Sequence, residues 1–189
     1  LLPALSLAQS DYAAWSKKNM DGAWTAAAEA AVKSSDLPKI VPSDVAKFCP
    51  SYSSRTEDAR VQFWVGLLSA VARPESNFKP EMKFKEDFKD SKGQFVISRG
   101  LLQISIESAN QKKYLCGIKK AEDLHDPATN LQCGVRILEA WVKTDNVIAT
   151  YGNSPSRGGG RYWSTLREKN KHLPELTGFT GSLKACSGV

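Results

Sequence analysis

The feature that most constrains the fold of this chain is a long apolar stripe that begins a few residues after Thr56. Apolar side chains recur there at intervals of three and four residues: Val61, Trp64, Val65, Leu68, Val71 and Ala72, with Phe63 and Leu67 widening the stripe. This spacing predicts a helix buried on most sides, with Thr56 as its N-cap and Glu57 and Asp58 in its first turn. Pro74 should stop or kink this helix just before Glu75. We therefore expect a central helix that ends at a carboxylate.

The residues before this helix have the character of an extension. An Ala-rich stretch over 11–33 indicates one helix, or two that break near Asp21. A Pro- and Ser-rich connector follows, with one short turn expected over 43–48. A chain of 189 residues suits a single domain with a terminal extension. We divide it into a helical extension with its connector, 1–54, and a main domain, 55–189.

The pattern after the central helix predicts a mainly α fold of the α+β class. Alternation with period two and a turn-like sequence at 91–93 predict one small β-hairpin over 83–97. Further helical signals lie at 101–113, at 126–143, more faintly at 144–151, and near Leu166.

Charge narrows the set of partners. Lys and Arg number 26 and Asp and Glu 20, so the formal net charge is +6. A positive surface favours anionic partners such as nucleic acid, acidic lipid or cell-wall polymers, but no run of Lys and Arg exceeds two residues, whereas nucleic-acid modules usually cluster their cations. The longest nearly unbroken apolar run, 63–72, has ten residues, against about 20 for a membrane-spanning helix. We expect neither a nucleic-acid partner nor a membrane span.

The four cysteines favour disulfides over a metal site. They are widely spaced and contain no C-x-x-C pair. An even number suits two disulfides formed in an oxidising compartment. Of the three possible connectivities we favour Cys116 with Cys133 and Cys49 with Cys186. The alternative is four free thiols buried in a cytosolic protein.

The first eight residues bear on the compartment as well. Leu1 to Ala8 is an apolar run with small residues at Ser6 and Ala8, which is typical of the tail of a secretory signal and its cleavage site. An ordered apolar arm is the alternative. Together with the cysteines, this run predicts a secreted or periplasmic protein.

Glu75 is the first candidate for chemistry. A carboxyl group at the end of a strongly apolar helix is desolvated, which raises its pKa. A raised pKa keeps a proton available near neutral pH, as a general acid needs in order to protonate a poor leaving group such as a glycosidic oxygen. The alternative is a water-exposed carboxylate at a helix end, which is common in proteins.

Four motifs in a fixed order give Glu75 a context. They are Ala-Val-Ala-Arg-Pro-Glu-Ser-Asn-Phe over 70–78, Gly-Leu-Leu-Gln-Ile over 100–104, Asp-Pro-Ala-Thr-Asn-Leu over 126–131 with Gly134, and Ala-Thr-Tyr over 149–151. Their order and spacing resemble the soluble lytic transglycosylase and goose-type lysozyme superfamily, over roughly residues 56–165. The resemblance implies a lysozyme-like fold that cleaves peptidoglycan. A narrower resemblance is to a lysozyme specialised for deacetylated peptidoglycan.

Carried over residue by residue, the resemblance implies that Glu75 is the catalytic acid and that Tyr151 lies close to it. The residues that it implies along the sugar cleft are Ser76, Gln103, Tyr151 and the backbone of Leu101 and Leu102. The chain departs from the family pattern at three places. Pro74 precedes the glutamate, Leu102 replaces the usual methionine, and Tyr151 is not followed directly by asparagine.

The segment between Glu75 and Gly100 bears on the mechanism because it carries four carboxylates: Glu81, Glu86, Asp87 and Asp90. Transglycosylases of this superfamily are understood to use one glutamate, assisted by the substrate's acetamido group, whereas hydrolases commonly recruit a second carboxylate. We favour Glu86 as the second carboxylate, because on a strand it shares a face with Phe84 and Phe88. The alternative is a solvated ribbon of mixed charge, since lysines surround it.

Other polar and aromatic residues are assigned more simply. Tyr162 and Asp90 are expected to contact the sugar, and Tyr162 and Trp163 suit either sugar stacking or the core. His125 and His172 are far apart and lack partners for a triad or a metal site. We therefore expect no metal and no cofactor.

Together these arguments predict a monomeric enzyme that hydrolyses the β-1,4 bond between N-acetylmuramic acid (MurNAc) and N-acetylglucosamine (GlcNAc) in peptidoglycan. Glu75 would be its general acid, and deacetylated glycan is a candidate substrate. One alternative is a lytic transglycosylase that forms 1,6-anhydro products. The other is a cell-wall-binding module without catalytic activity.

Overall fold

The residues that the structure describes, 12–153 and 155–187, form five α-helices and a two-stranded antiparallel sheet in a computed structural model. In chain order these elements are α1 (Ala23–Lys33), α2 (Glu57–Ser76), β1 (Lys83–Lys89), β2 (Phe95–Arg99), α3 (Ile106–Ala109), α4 (Pro127–Asp145) and α5 (Leu173–Gly181). Single turns of 3-10 helix lie between them at Leu37–Lys39, Val45–Lys47, Tyr52–Ser54, Ala121–His125, Gly158–Arg161 and Ser164–Leu166. This architecture confirms the predicted mainly α fold with one small β-hairpin.

Helix α2 lies at the centre of the core, as its apolar stripe predicts. The Thr56 hydroxyl accepts a hydrogen bond from the backbone N–H of Ala59 at 3.3 Å and so caps the helix. Twelve of its 20 residues are buried, and α1, α5 and the turn at Leu37–Lys39 pack around it. Each large apolar side chain buried here contributes about 1.5–3 kcal/mol to stability. The position of α2 is therefore fixed by its apolar packing against these neighbouring elements.

The prediction that this helix stops before Glu75 is wrong. The helix continues through Pro74 to Ser76, and Asn77 ends it in the left-handed region, with φ 51°. The N–H of Asn77 still donates to the carbonyl of Arg73 at 2.9 Å. A proline in the last turn removes one N–H donor but leaves this closing bond intact. Glu75 consequently lies on the final turn of the helix.

The predicted hairpin is confirmed and extends to Arg99. Strand β1 pairs antiparallel with β2, with Phe84 opposite Ser98, and the register shifts between Lys85 and Lys89. Six of the seven β1 residues are exposed. The Asp90 carboxylate closes the turn by accepting two backbone N–H groups across it. The hairpin thus projects from the domain and is held mainly by its own pairing.

Helix α4 joins the hairpin to the core. It begins after Asp126 and packs against α1. The buried Asn130 side chain donates to the carbonyls of Arg99 and Leu124, at 3.0 and 2.9 Å, and accepts from the N–H of Leu102 at 2.9 Å. This single amide therefore fixes the chain where it leaves the hairpin.

The helix predicted over 101–113 is much shorter than expected. Gly100 and Gln103 have φ values of 77° and 48°, which lie outside the helical region. Helix α3 consequently begins only after Ser105, whose hydroxyl accepts the N–H of Ser108 at 3.2 Å. The turn that replaces the first part of the predicted helix leaves Gln103 almost fully buried.

The faint helical signal over 144–151 is also wrong. Asn146 ends α4 in the left-handed region at φ 53°, and Thr150 instead forms a parallel bridge with Arg167. Leu166 lies in a single 3-10 turn, and the last α-helix, α5, begins seven residues later.

Both favoured disulfides are confirmed: Cys49 bonds to Cys186 and Cys116 to Cys133. The connector is also tied to the main domain, because the Asp44 carboxylate accepts the N–H groups of Ile148 and Ala149 at 2.7 and 3.0 Å. Within the described residues, no helix has the length and apolar character needed to cross a membrane. The secretion signal expected over 1–8 lies outside the described residues, and the boundary at residue 54 stays a prediction.

Candidate active site

A cleft of about 650 Å³ opens where the end of α2 meets the hairpin and the turns after Gly158. Glu75 and Pro74 line it from α2, and Phe84, Glu86 and Phe88 line it from β1. The remaining described residues along it are Met82, Val96, Ser98, Gln103, Ser105, Ser108, Arg161, Tyr162, Trp163, Ser164 and Arg167. The structure therefore brings both predicted carboxylates to one cleft.

A larger hollow of about 720 Å³ lies between α1 and α5, and Tyr12, Glu29 and Phe179 are among its lining residues. None of the described residues that line it belongs to the four sequence motifs. We place the chemistry in the smaller cleft, because the smaller cleft contains the carboxyl group whose pKa is shifted to near neutral.

Glu75 is partly buried at the base of the cleft. The pKa of Glu75 is raised from 4.5 to about 7, mainly by burial, and the negative charge of Glu86 contributes to the increase. A hydrogen bond opposes this shift: the Thr165 hydroxyl donates to Glu75 Oε1 at 3.1 Å and stabilises the charged form. Near neutral pH the Glu75 carboxyl group is thus available both as an acid and, after giving up its proton, as a base.

Glu86 reaches the same cleft from the exposed hairpin. The Ser98 hydroxyl, on the paired strand, donates to Glu86 Oε1 at 2.6 Å. Phe84 and Phe88 flank Glu86 on this face and are 59% and 56% exposed. The predicted sharing of a face is confirmed, and the carboxylate is held by one short hydrogen bond between two exposed aromatic rings.

Gln103 lines the cleft as a side chain that is almost fully buried. Its amide nitrogen donates to the carbonyls of Gly100 and Met82, at 2.8 and 3.3 Å. Its carbonyl oxygen Oε1 is buried and has no hydrogen-bond partner among the described residues. An acceptor held in this way suits a hydroxyl or N–H donor on a ligand.

Ser76, Leu101 and Leu102 lie behind the cleft and are buried. The Ser76 hydroxyl donates to the carbonyl of Leu101 at 2.9 Å, and Trp163 Nε1 donates to the carbonyl of Leu102 at 2.9 Å. These polar groups therefore connect the walls of the cleft to one another. A direct sugar contact by Ser76, Leu101 or Leu102 stays a prediction.

Two tyrosines differ in their relation to the cleft. Tyr162 lines it, and its hydroxyl accepts the N–H of Ser105 at 3.4 Å. Tyr151 is not among the described lining residues. Burial and the charges of Asp44 and Glu168 raise the pKa of Tyr151, and its hydroxyl has no hydrogen-bond partner among the described residues. The structure thus brings Tyr162, rather than Tyr151, into the wall of the cleft.

Asp90 lies at the turn of the hairpin and lines a neighbouring groove next to Phe88. Its Oδ1 accepts the N–H groups of Lys92 and Gln94, at 2.8 and 2.9 Å. Its sugar-binding role stays a prediction. Trp163 is 2% exposed and belongs to the core, which was one of the two roles considered for it.

Sequence reasoning missed the two hydroxyls that hold the carboxylates. Thr165 is 90 residues from Glu75, and no motif connects them. Ser98 is 12 residues from Glu86, and the alternation of the two strands contains a signal for it, but only once the register of the hairpin is known.

Metal-ligating side chains are not grouped in the part of the chain that the structure describes. No cluster of three or more His, Cys, Asp or Glu residues there could hold a metal ion.

Comparisons with known proteins agree with this geometry. The sequence model of the transglycosylase SLT domain matches residues 53–172. The solved structure of wild-type Bd0314 DslA, form 2, is 44% identical, with a TM-score of 0.86 over 93% of this chain and 97% of the other. Structures of two glutamate-to-glutamine mutants of the same protein match at 43% and 44% identity and TM-scores of 0.87 and 0.86, each over 93% of this chain and 98% and 97% of theirs.

A comparison with curated proteins finds no significant match. The SLT match covers well over half of the chain and includes Glu75, Glu86 and the cleft around them. The chain is therefore an enzyme of the transglycosylase SLT domain family, the lysozyme-like enzymes that act on peptidoglycan.

Proposed function

We propose that this enzyme is a lysozyme, which hydrolyses the β-1,4 bond between MurNAc and GlcNAc with Glu75 as its general acid. The observation that carries the proposal is the pairing of Glu75, whose pKa is raised to about 7, with a second carboxylate, Glu86, in the same cleft. Glycoside hydrolases commonly use two carboxyl groups that lie in different environments.

The chemistry follows from the protonation of the two groups. Protonated Glu75 donates its proton to the glycosidic oxygen, the C1–O bond breaks, and the leaving sugar departs as an alcohol. Positive charge develops on the remaining sugar ring. Glu86, fixed by Ser98, stabilises that charge or takes a proton from the water that adds to C1. The product has a free reducing end.

The solved relatives support a role for the second carboxylate. The two glutamates replaced in the mutant structures of Bd0314 DslA lie 11 positions apart in that chain. Glu75 and Glu86 are separated by the same 11 positions here. That spacing accords with two functional glutamates, one on the central helix and one on the hairpin.

The second candidate is a lytic transglycosylase, which the name of the matching family favours. In that reaction the 6-hydroxyl of MurNAc attacks C1 in place of water, and a 1,6-anhydro ring forms. Glu75 then gives a proton to the leaving oxygen and receives one from the 6-hydroxyl. The reaction requires no second carboxylate, and Glu86 is therefore the residue that discriminates between the two functions.

Glu86 also bears on the acetylation state of the substrate. A carboxylate on the hairpin face would pair with the free amine of a deacetylated glucosamine, and we include deacetylated glycan among the proposed substrates. Two disulfides and a peptidoglycan substrate fit an enzyme that works outside the cytoplasm, either secreted or in the periplasm. We propose that it acts as a monomer. A wall-binding module without activity would retain the cleft and release no sugar.

Mass spectrometry of muropeptides released by the wild type and by Glu86→Gln tests the proposal. We expect wild-type products with free reducing ends, each heavier by one water than its anhydro counterpart. Loss of Glu86→Gln activity on every glycan indicates a catalytic role, and loss confined to deacetylated glycan indicates recognition. Predominant anhydro products, with Glu86→Gln fully active on both substrates, would place the enzyme among the transglycosylases. Binding to the cell wall without any release of sugar would indicate a cell-wall-binding module without catalytic activity.

A further inference from the structure

Two cations lie over the same tryptophan ring at the rim of the cleft. The Lys113 ammonium nitrogen is 3.9 Å from the ring centroid of Trp141, and the Arg161 guanidinium carbon is 4.7 Å from it. The indole N–H of Trp141 donates to the Tyr114 hydroxyl at 2.8 Å, and the two rings meet edge to face. This arrangement holds both charges in place on a fixed aromatic platform.

The charges of this cluster are not balanced within the protein. Arg161 is paired with Asp145 through Nε and Nη2, at 2.7 and 2.9 Å. Asp145 also lies near Arg157, which donates to its backbone carbonyl. Among the described residues no carboxylate forms an ion pair with Lys113. Asp145 thus faces two arginines, and Lys113 lies near the charge of Arg161, so an anion at Lys113 would relieve the repulsion.

The surroundings of Lys113 also act on its pKa. Partial burial lowers the pKa of its ammonium group, and the nearby charge of Arg161 lowers it further. An exposed cation that lies against an aromatic ring and near another cation is in an environment that favours binding an anion.

The cluster is continuous with the substrate cleft. Arg161 and its neighbour Tyr162 line the cleft that contains Glu75. Each MurNAc of peptidoglycan carries a lactyl group, which is linked to an acidic peptide or, after removal of the peptide, ends in a carboxylate. A glycan strand in the cleft would present these substituents at its edge.

We propose that Lys113 and Arg161 form a binding site for a carboxylate on the MurNAc substituent, with the peptide branch as its source. The proposal rests on the proposed peptidoglycan substrate. It makes the enzyme select peptide-bearing strands over bare glycan. The Lys113 ammonium donates to one carboxylate oxygen, and Arg161 Nη1, which makes no hydrogen bond to the described residues, donates to the other.

Calorimetric binding to three disaccharides tests this site. The first is GlcNAc–MurNAc carrying the peptide, the second is the same disaccharide with a free lactyl carboxylate, and the third is the GlcNAc dimer, which has neither. None of them contains the MurNAc–GlcNAc bond, so binding is measured without cleavage. We expect Lys113→Gln to weaken binding of the peptide-bearing disaccharide about tenfold and to leave binding of the GlcNAc dimer unchanged.

Matched variants control for other effects of the substitution. Lys112→Gln removes a neighbouring exposed charge and should bind as the wild type does, and Lys113→Arg should restore binding. A loss confined to the lactyl disaccharide would overturn the peptide as the source. Equal affinities for Lys113→Gln and Lys112→Gln, or no binding of either carboxylate ligand by the wild type, would overturn the site. Because cleavage is not involved, absence of hydrolysis would refute the lysozyme proposal without affecting this result.

Discussion

Glu75 and Glu86 face one cleft from two elements that differ in their burial and in the contacts that hold them. Helix α2 is buried along most of its length, whereas six of the seven residues of β1 are exposed. The core sets the environment of Glu75, and its burial moves its pKa toward neutrality. Glu86 depends on a two-stranded pairing and on the hydroxyl of Ser98. The pKa of Glu75 consequently depends on the packing of the whole domain. The position of Glu86 depends only on contacts within the hairpin.

The largest expected effect comes from removing the acidic proton of Glu75, on the buried helix α2. Glu75→Gln keeps the shape of the side chain and cannot donate a proton, and we expect activity to fall by about 10²–10⁴-fold. Glu57→Gln, at the opposite end of the same helix, is the matched control and should retain activity. Turnover of soluble glycan strands, measured beside circular dichroism spectra of both variants, checks this. A folded Glu75→Gln enzyme with substantial turnover would exclude Glu75 as the acid.

The second effect concerns the free energy of unfolding, which should depend on the protonation of the buried Glu75. The folded state holds the Glu75 proton up to about pH 7, whereas the unfolded chain releases it near pH 4.5. Stability therefore falls as the pH rises through this window. Glu75→Gln has no charge to bury and should be more stable than the wild type at about pH 8, by on the order of 3 kcal/mol, with little of this gain at about pH 4.

Denaturant unfolding of the wild type and of Glu75→Gln at the two pH values measures this difference. Because the hydrogen bond from Thr165 stabilises charged Glu75, the change in the stability difference with pH reports the net cost of burying the charge in the presence of that hydrogen bond. A stability difference independent of pH would contradict the proposed burial effect.

The smallest effect compares the two hydroxyls that hold the carboxylates. Thr165→Val removes a donor that stabilises charged Glu75, so its pKa should rise and the alkaline limb of the pH–activity profile should move up by about one unit. Thr165→Ser should restore the profile. Ser98→Ala acts on the other wall and should lower turnover about fivefold without moving that limb. Equal shifts of the alkaline limb in Thr165→Val and Ser98→Ala would show that the surroundings of Glu75 and Glu86 do not act independently.

The sequence was sufficient for the parts of the molecule that depend on local pattern. The apolar period of α2, the alternation of the hairpin and the desolvated position of Glu75 can all be seen in short stretches of sequence. Thr165 could not be found in this way, because its contact with Glu75 joins residues 90 positions apart. Tyr162, which is predicted to contact the sugar, does line the cleft, whereas Tyr151, to which the family pattern pointed, is not among its described lining residues.

The stretch after the hairpin shows a further limit. Apolar residues over 101–104 are compatible with a helix, yet the positive φ values of Gly100 and Gln103 exclude one. Those backbone angles accompany the hydrogen bonds of the buried Asn130, which holds the carbonyl of Arg99 and the N–H of Leu102. A tertiary contact made by one amide therefore overrides the local preference of the segment.

The Cys49–Cys186 bond joins two positions 137 residues apart, and both walls of the cleft lie on the loop that it closes. Topologically, the working part of the enzyme is a ring. A protease that cuts the exposed hairpin turn would open this ring once without releasing a fragment, since both new ends remain attached through the disulfide. The two halves of the cleft would stay at a high effective concentration with respect to each other, and the nicked molecule could re-form its site after local unfolding as long as the bond remains oxidised.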